Sequence, residues 1–334
     1  AFLLAYFTAF LLVGLAYTAP ATDASDDTVT VTEEFFPDDI AVYTAEHDIV
    51  NILVPLNALN FDDEADEDNE ESSDSDSVIF FVLADTVNGE RVDKGLYIRK
   101  KGTVTKLLDN GRDASAANDD TKTAYFAAKD GLYRYNSKEN KAEKYGTITD
   151  DLIGLAKVNG SDTIYVLTKD HVVYKVTEEG TKKDKVDNVV DAQQIVLDYE
   201  NNLYYYTSEK KVYVLGPDGI KKIEGLPEQV SYVNILKPPF IIEHGVPLVL
   251  DSNTFVGYVN GSSETGDYIL QVRPTAYAME ATLIQYYAYN KKIYEYNILT
   301  LLLVDVISAI KEKLESSAAT ISALATRSRS DLRS

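Results

Sequence analysis

The sequence predicts an all-β protein, a six-bladed β-propeller. Three observations in this chain of 334 residues predict it. A strand–turn–strand pattern recurs six times, near positions 80, 125, 165, 205, 249 and 287. The spacing is close to the 40 or so residues of a four-stranded propeller blade. Apolar and aromatic residues alternate with polar ones inside each copy, which is the periodicity of a β-strand.

The six copies share a polar turn between two strands that are rich in tyrosine or valine. The central copies place Tyr125, Tyr165 and Tyr205 at equal intervals of 40 residues. The copies occupy residues 79–98, 123–135, 163–176, 203–215, 247–258 and 285–296. β-Branched and aromatic residues suit the half-buried surface of a sheet, so each copy is read as the central hairpin of one blade.

Two further strands complete each blade. Inner strands that would line a central channel are predicted at 49–54, 151–156, 191–197 and 231–236, and polar outer strands at 104–107, 142–145, 181–186, 220–223 and 268–271. The last unit lacks an outer strand, whereas Thr28 to Phe35 alternates cleanly near the N-terminus. We predict that this segment pairs into the last blade and closes the ring, which removes an exposed edge. An open β-sandwich or two smaller β domains are the alternatives.

The propeller is predicted to span 28–298, and three segments lie outside its repeat. Residues 1–19 are mostly apolar, end in small residues and are shorter than the roughly 20 residues that a spanning helix needs. They are read as a signal peptide, with a membrane anchor as the alternative. Residues 62–77 consist almost wholly of Asp, Glu, Ser and Asn and are predicted to form a disordered insert; calcium binding or serine phosphorylation are alternatives there. Residues 299–334 are predicted to form an amphipathic helix with a frayed tail, which could support self-association.

Composition excludes several classes of partner and chemistry. The formal net charge is −22, which opposes binding to nucleic acid or to an anionic membrane surface. The absence of cysteine excludes disulfides, zinc–thiolate sites and cysteine nucleophiles. With the signal peptide, the sequence predicts a secreted, extracellular protein, and Asn159 and Asn260 begin N-glycosylation sequons.

Candidate binding residues stand near the starts of the inner strands. Equivalent positions of a propeller converge at one end of the channel, so a ligand-binding ring is predicted from Asp48, Asp113, Asp151, Asp191, Tyr232 and Tyr277. The alternative is that the Asp residues cap tight turns by accepting hydrogen bonds from backbone amides. The three histidines, His47, His171 and His244, form no metal-ligand pattern, and no nucleotide-binding or nucleophile motif is present. No catalytic residue, resident metal or cofactor is therefore assigned, and the chain is not predicted to be an enzyme.

Tyrosine is the outstanding feature of composition, with 24 Tyr, 11 Phe and no Trp. The segments 129–135, 198–204 and 290–296, which read KDGLYRY, DYENNLY and NKKIYEY, resemble the ommochrome-binding proteins of moths. That family consists of secreted haemolymph proteins that bind a tryptophan-derived pigment. The resemblance covers roughly Asp48 to Ile298 and implies a carrier that binds a small aromatic ligand in or near its channel.

Two other functions remain open at this stage. A calcium-dependent lactonase or hydrolase of the six-bladed type would need Asp113, Asp151 and Asp191 to converge with Glu and Asn on one Ca²⁺ ion. A structural or storage protein would assemble through the C-terminal helix and the acidic insert. The pigment carrier is the first hypothesis.

Overall fold

A computed structural model of the chain describes residues 28–55, 78–117, 123–238, 242, 244–279 and 284–297. The predicted signal peptide (1–19), acidic insert (62–77) and C-terminal helix (299–334) lie outside the described residues. Among the residues that are described, no helix is long and apolar enough to cross a membrane.

The described residues form 25 strands in six sheets, which confirms the predicted six-bladed propeller. Blade 1 contains β3 (Ile49–Leu53), β4 (Ile79–Val87), β5 (Glu90–Lys100) and β6 (Thr103–Leu108). Blade 2 contains β7 (Gly111–Ala116), β8 (Ala124–Ala128), β9 (Gly131–Asn136) and β10 (Lys141–Lys144). Blade 3 contains β11 (Leu152–Lys157), β12 (Ile164–Thr168), β13 (Val173–Thr177) and β14 (Lys182–Lys185).

The remaining blades follow the same order from the channel outward. Blade 4 contains β15 (Ala192–Leu197), β16 (Leu203–Thr207), β17 (Val212–Gly216) and β18 (Gly219–Lys222). Blade 5 contains β19 (Val233–Ile235), β20 (Gly245–Leu250), β21 (Asn253–Tyr258) and β22 (Ser263–Leu270), and blade 6 contains β23 (Ala276–Met279), β24 (Ile284–Tyr289) and β25 (Lys292–Asn297). Within each blade, these consecutive strands pair antiparallel.

The N-terminal segment contributes one strand to each of two blades. Strand β1 (Val29–Val31) pairs parallel with residues 268–270 at the outer edge of blade 5. The prediction that Thr28 to Phe35 pairs into the last blade is therefore wrong. The outer strand of blade 6 is β2 (Ala41–Thr44), which follows two short 3₁₀ turns, Glu33–Phe35 and Asp38–Ile40, and pairs antiparallel with β25. The alternation in 28–35 identified a strand, but two edges were available and register alone could not choose between them.

Apolar packing between blades supplies the core. One cluster joins blades 6, 1 and 2, and a second joins blades 5 and 6, so the last blade packs against both of its neighbours. Phe80 of β4 is fully buried, and its ring lies 5.3 Å from that of Phe126 and 5.0 Å from that of Tyr135 in blade 2. Polar residues occupy the outer edges: all four residues of β14 are exposed and three are lysines, which discourages edge-to-edge pairing.

Replacing Phe80 by Ala should lower the free energy of unfolding by about 3–5 kcal/mol, because the change leaves a cavity between blades 1 and 2. Urea denaturation of both proteins measures the difference. Val190→Ala is the control, since Val190 is 66% exposed and its truncation should change stability by less than about 0.5 kcal/mol. Equal effects of the two substitutions would contradict this packing.

Candidate functional site

A β-bulge near the start of the inner strand recurs in blades 1 to 4. In each, one residue is skipped between two paired ones, namely between Ile49 and Asn51, Gly111 and Asp113, Leu152 and Gly154, and Ala192 and Gln194. A bulge re-aims the side chains beside it. Pairing places Asn234 of β19 at the corresponding position of blade 5, although without a bulge. In blade 6, the corresponding residue by pairing is Ala276 of β23, and its neighbour Tyr277 also lines the channel.

We call one channel-lining residue from each blade the channel ring: Asn51, Asp113, Gly154, Gln194, Asn234 and Tyr277. All six line one cavity that runs along the inner strands of all six blades. The cavity volume is about 210 Å³. Two of the six predicted ligand-binding residues, Asp113 and Tyr277, belong to the ring. Sequence analysis missed the others, although a polar residue follows the start of the inner strand by two positions in blades 1, 2 and 4 and by one position in blade 5.

Asp113 is the acidic member of the ring and links three blades. Its Oδ1 accepts hydrogen bonds from Asn51 Nδ2 of blade 1 at 2.7 Å and from the Ala114 amide at 2.9 Å. Its Oδ2 accepts from the Leu155 amide of blade 3 at 2.8 Å. Burial raises the pKa of Asp113 to about 6, although the two backbone donors act in the opposite direction.

Lys237 reaches into the cavity from the residues just after β19. Its Nζ lies 3.3 Å from Ser115 Oγ of β7, and Ser115 stands two positions after Asp113 on the same strand. Blades 5 and 2 are three apart in a ring of six, so this side chain spans the channel. Burial lowers the pKa of Lys237 to about 8, while the Asp113 carboxylate acts to raise it. No salt-bridge contact within 4.0 Å joins Nζ to a carboxylate of the described residues.

The other predicted ring residues lie one residue before the first paired position of their strand, outside the channel ring. Asp48 is exposed, and Asp151 bonds Arg112. Asp191 Oδ2 accepts from the Ser208 amide at 2.9 Å and from its hydroxyl, and Oδ1 accepts from Gln193 at 2.9 Å. These hydrogen bonds lower the pKa of Asp191. The hydrogen bonds of Asp191 therefore match the alternative in which this residue caps a turn.

Tyr232, the remaining predicted residue, also stands outside the ring. The Arg273 guanidinium lies 4.2 Å from the centroid of its ring, and the Tyr232 amide donates to Asp251 Oδ1 at 3.0 Å. Tyr277, by contrast, is buried, and its hydroxyl has no hydrogen-bond partner among the described residues. Asn51 Oδ1 is likewise a buried acceptor without a partner. Two unsatisfied polar atoms thus belong to residues that line the channel.

Two arginines contribute to the cavity wall. Arg112 Nε donates to Asp93 Oδ2 at 2.7 Å, and its Nη1 donates to Asp151. Arg91 donates to Asp93 Oδ1 at 2.9 Å and to the Arg112 carbonyl at 3.0 Å. These ion pairs hold both guanidinium groups in place. The wall of a strongly acidic protein therefore carries Arg91, Arg112 and Lys237.

The calcium alternative required Asp113, Asp151 and Asp191 to converge. Their hydrogen-bond partners differ, and no group of three or more His, Asp or Glu side chains suited to a metal ion occurs among the described residues. Of the histidines, His47 Nδ1 lies 2.8 Å from Asp85 Oδ2, and His171 Nδ1 lies 2.9 Å from the Ala192 carbonyl oxygen. Each therefore has a local contact.

The two sequons differ in accessibility. Asn159 lines the cavity, its Nδ2 donates to the Tyr199 carbonyl at 3.0 Å, and its amide donates to Asn201 at 2.7 Å. Asn260 is exposed in a turn, where its Oδ1 accepts from the Ser262 amide at 2.9 Å. Geometry favours Asn260 as a glycan acceptor, and glycosylation of either residue stays a prediction.

The chain matches no protein-family model and no curated protein sequence. Among solved structures, it is similar to U3-55K, with 10% identity, a TM-score of 0.47 and coverage of 76% of this chain and 97% of that one. The RRP9 WD40 repeats are 11% identical, with a TM-score of 0.47 and coverage of 76% of this chain and 96% of that one. The extracellular domain of BT4673 from B. thetaiotaomicron is 14% identical, with a TM-score of 0.47 and coverage of 76% of this chain and 34% of that one. These similarities concern the propeller fold alone. The resemblance to ommochrome-binding proteins stays a prediction.

The raised pKa of Asp113 makes stability depend on pH. Between about pH 4 and pH 6, the unfolded chain ionises this carboxyl while the folded chain keeps its proton, so the contribution of Asp113 to stability falls as pH rises. Asn at position 113 does not titrate. The free energy of unfolding of Asp113→Asn relative to the wild type should therefore increase by on the order of 2 kcal/mol from pH 4 to pH 7. Urea denaturation across this range tests it, and a pH-independent difference would contradict it.

Proposed function

We propose that the protein binds a small carboxylic acid in its central channel. The observation that carries this proposal is the Lys237 ammonium, which lies inside the cavity with Ser115 Oγ as its hydrogen-bond partner among the described residues. An ammonium group has three donors, so Lys237 retains donors for the carboxylate of a ligand. A charge-assisted hydrogen bond of this kind is stronger than a neutral one.

The charges on the cavity wall support the choice of an acid. Arg91 and Arg112 pair with Asp93 and Asp151, so these charges largely balance one another. The Lys237 ammonium has no carboxylate partner among the described residues, so it is the group on the wall that an anionic ligand would contact.

Cavity volume limits the size of the ligand. Pockets for drug-sized molecules typically measure about 300–1,000 Å³. The channel, at about 210 Å³, is smaller than that range. A flat pigment with several fused rings, as the ommochrome resemblance implies, would need the blades to move apart or a site elsewhere. We therefore favour a ligand of a few heavy atoms over the pigment.

Lactate is the probe that we choose for this proposal. Millimolar lactate should raise the melting temperature above that in NaCl of equal ionic strength, because a ligand that binds only the folded state stabilises it. Lys237→Met should weaken the affinity roughly 10-fold or more, the effect of losing one hydrogen bond to a charged group. Ligand-observed NMR measures the affinities.

Lys182→Met is the matched control, because Lys182 lies in the exposed outer strand of blade 3 and its loss removes the same charge. This variant should bind lactate as the wild type does. Equal lactate binding by Lys237→Met and the wild type would overturn the channel site. So would an equal loss of binding in both lysine variants, since that would indicate a general effect of charge.

A further inference from the structure

We infer that Lys237 condenses reversibly with the carbonyl group of a small 2-oxo acid and holds it as an imine in the channel. This inference rests on the proposed function and names the covalent chemistry that the same site supports. Lys237 becomes the nucleophile, Asp113 supplies the acid, and the substrate class narrows to 2-oxo acids.

The position of the amine is the first support. Lys237 Nζ lies in the cavity beside Ser115 Oγ, and no salt bridge holds it to a carboxylate among the described residues. In a 2-oxo acid, the carbonyl carbon is bonded directly to the carboxylate carbon. An acid whose carboxylate contacts Nζ therefore brings its carbonyl carbon near to the same nitrogen, which is the arrangement that makes addition effectively intramolecular.

The protonation state of the amine is the second support. Only a neutral amine attacks a carbonyl group, and desolvation is a general way to activate lysine for this purpose. Burial lowers the pKa of Lys237 to about 8. At pH 7, roughly a tenth of such amines are neutral, against well under a thousandth for an exposed lysine with a pKa near 10.4.

Asp113 supplies the acid that the reaction needs. Its carboxyl group lines the same cavity, and burial raises its pKa to about 6, so a protonated fraction persists near neutral pH. Other charged groups face this site as well: Arg91 acts on Asp113 electrostatically, and Arg112 and Lys157 line the cavity. Arg112 is bound to Asp93 and Asp151, and Lys157 donates to the carbonyl groups of Val158 and Ser161.

The ammonium that holds the carboxylate first releases a proton to water. The Nζ lone pair then forms a bond to the carbonyl carbon, the π electrons move to oxygen, and that oxygen takes a proton from nitrogen, which gives a carbinolamine. A second proton, from Asp113, lets the hydroxyl group leave as water while the C=N bond forms. The products are a protonated imine, one water molecule and the Asp113 carboxylate. Water reverses every step, so no oxidant or reductant is required.

Reductive trapping with pyruvate and sodium cyanoborohydride tests this inference. Hydride adds to the imine carbon and makes a stable secondary amine, which peptide mass spectrometry locates. At pH 7, Lys237 should be modified at least about ten times faster than any exposed lysine, since its larger neutral fraction outweighs the lower nucleophilicity of a less basic amine. Asp113→Asn should slow trapping at Lys237 severalfold more than it weakens lactate binding, which separates proton supply from binding.

Two variants control the experiment. Lys237→Arg keeps the positive charge but offers no amine that condenses, so the fast adduct should disappear while thermal unfolding shows that the protein folds. Lys182→Arg should leave the fast adduct unchanged. Lactate binding without fast trapping at Lys237 would overturn the covalent step and leave the proposed function standing. Failure of both lactate binding and trapping would overturn both.

Discussion

The free edge of each inner strand is the constraint on which the rest of this propeller depends. Backbone amides and carbonyl groups on that edge face the channel without a neighbouring strand, and unpaired backbone groups are costly. Side chains of the adjacent blade satisfy several of them. Asp113 accepts from Leu155, Ser115 accepts from Lys157, and Gln194 bonds both the amide and the carbonyl of Ile235. These partners lie 41 or 42 residues apart, so each hydrogen bond advances by one blade.

This constraint also places the candidate site. Polar side chains are needed along the channel to join the blades, and the bulge aims them there. The Gln194 side chain already bonds both the amide and the carbonyl of Ile235, so few of its hydrogen-bonding groups are available to a ligand. The Asn51 side chain donates to Asp113, but its Oδ1 accepts no hydrogen bond from the described residues. The site is thus a by-product of how the ring is held together.

Sequence reasoning reached the propeller because its signal is repeated. Six hairpins with alternating residues all indicate the same blade, so the fold can be predicted even when one copy is degenerate. The site was harder to predict, since Asp113 and Asp191 both stand near the start of an inner strand, yet a bulge separates a channel position from a turn position. No sequence pattern pointed to Lys237, because it lies after the inner strand of a single blade and has no counterpart in the repeat. Its position in the channel follows from its reach across to Ser115 of blade 2. The choice between two edges for Thr28 to Phe35 depended on geometry rather than on pattern.

The pairing of β2 with β25 has a consequence for biosynthesis. Thr44 pairs with Lys292, which the ribosome adds 248 residues later. At about 5–20 residues per second, roughly 12 to 50 s pass before the partner exists. Blades 1 to 5 can form in order during that time, but the edge of β2 must wait. Closure of the ring is therefore a late event of high contact order, and the nascent chain carries β2 unpaired until β25 has been made.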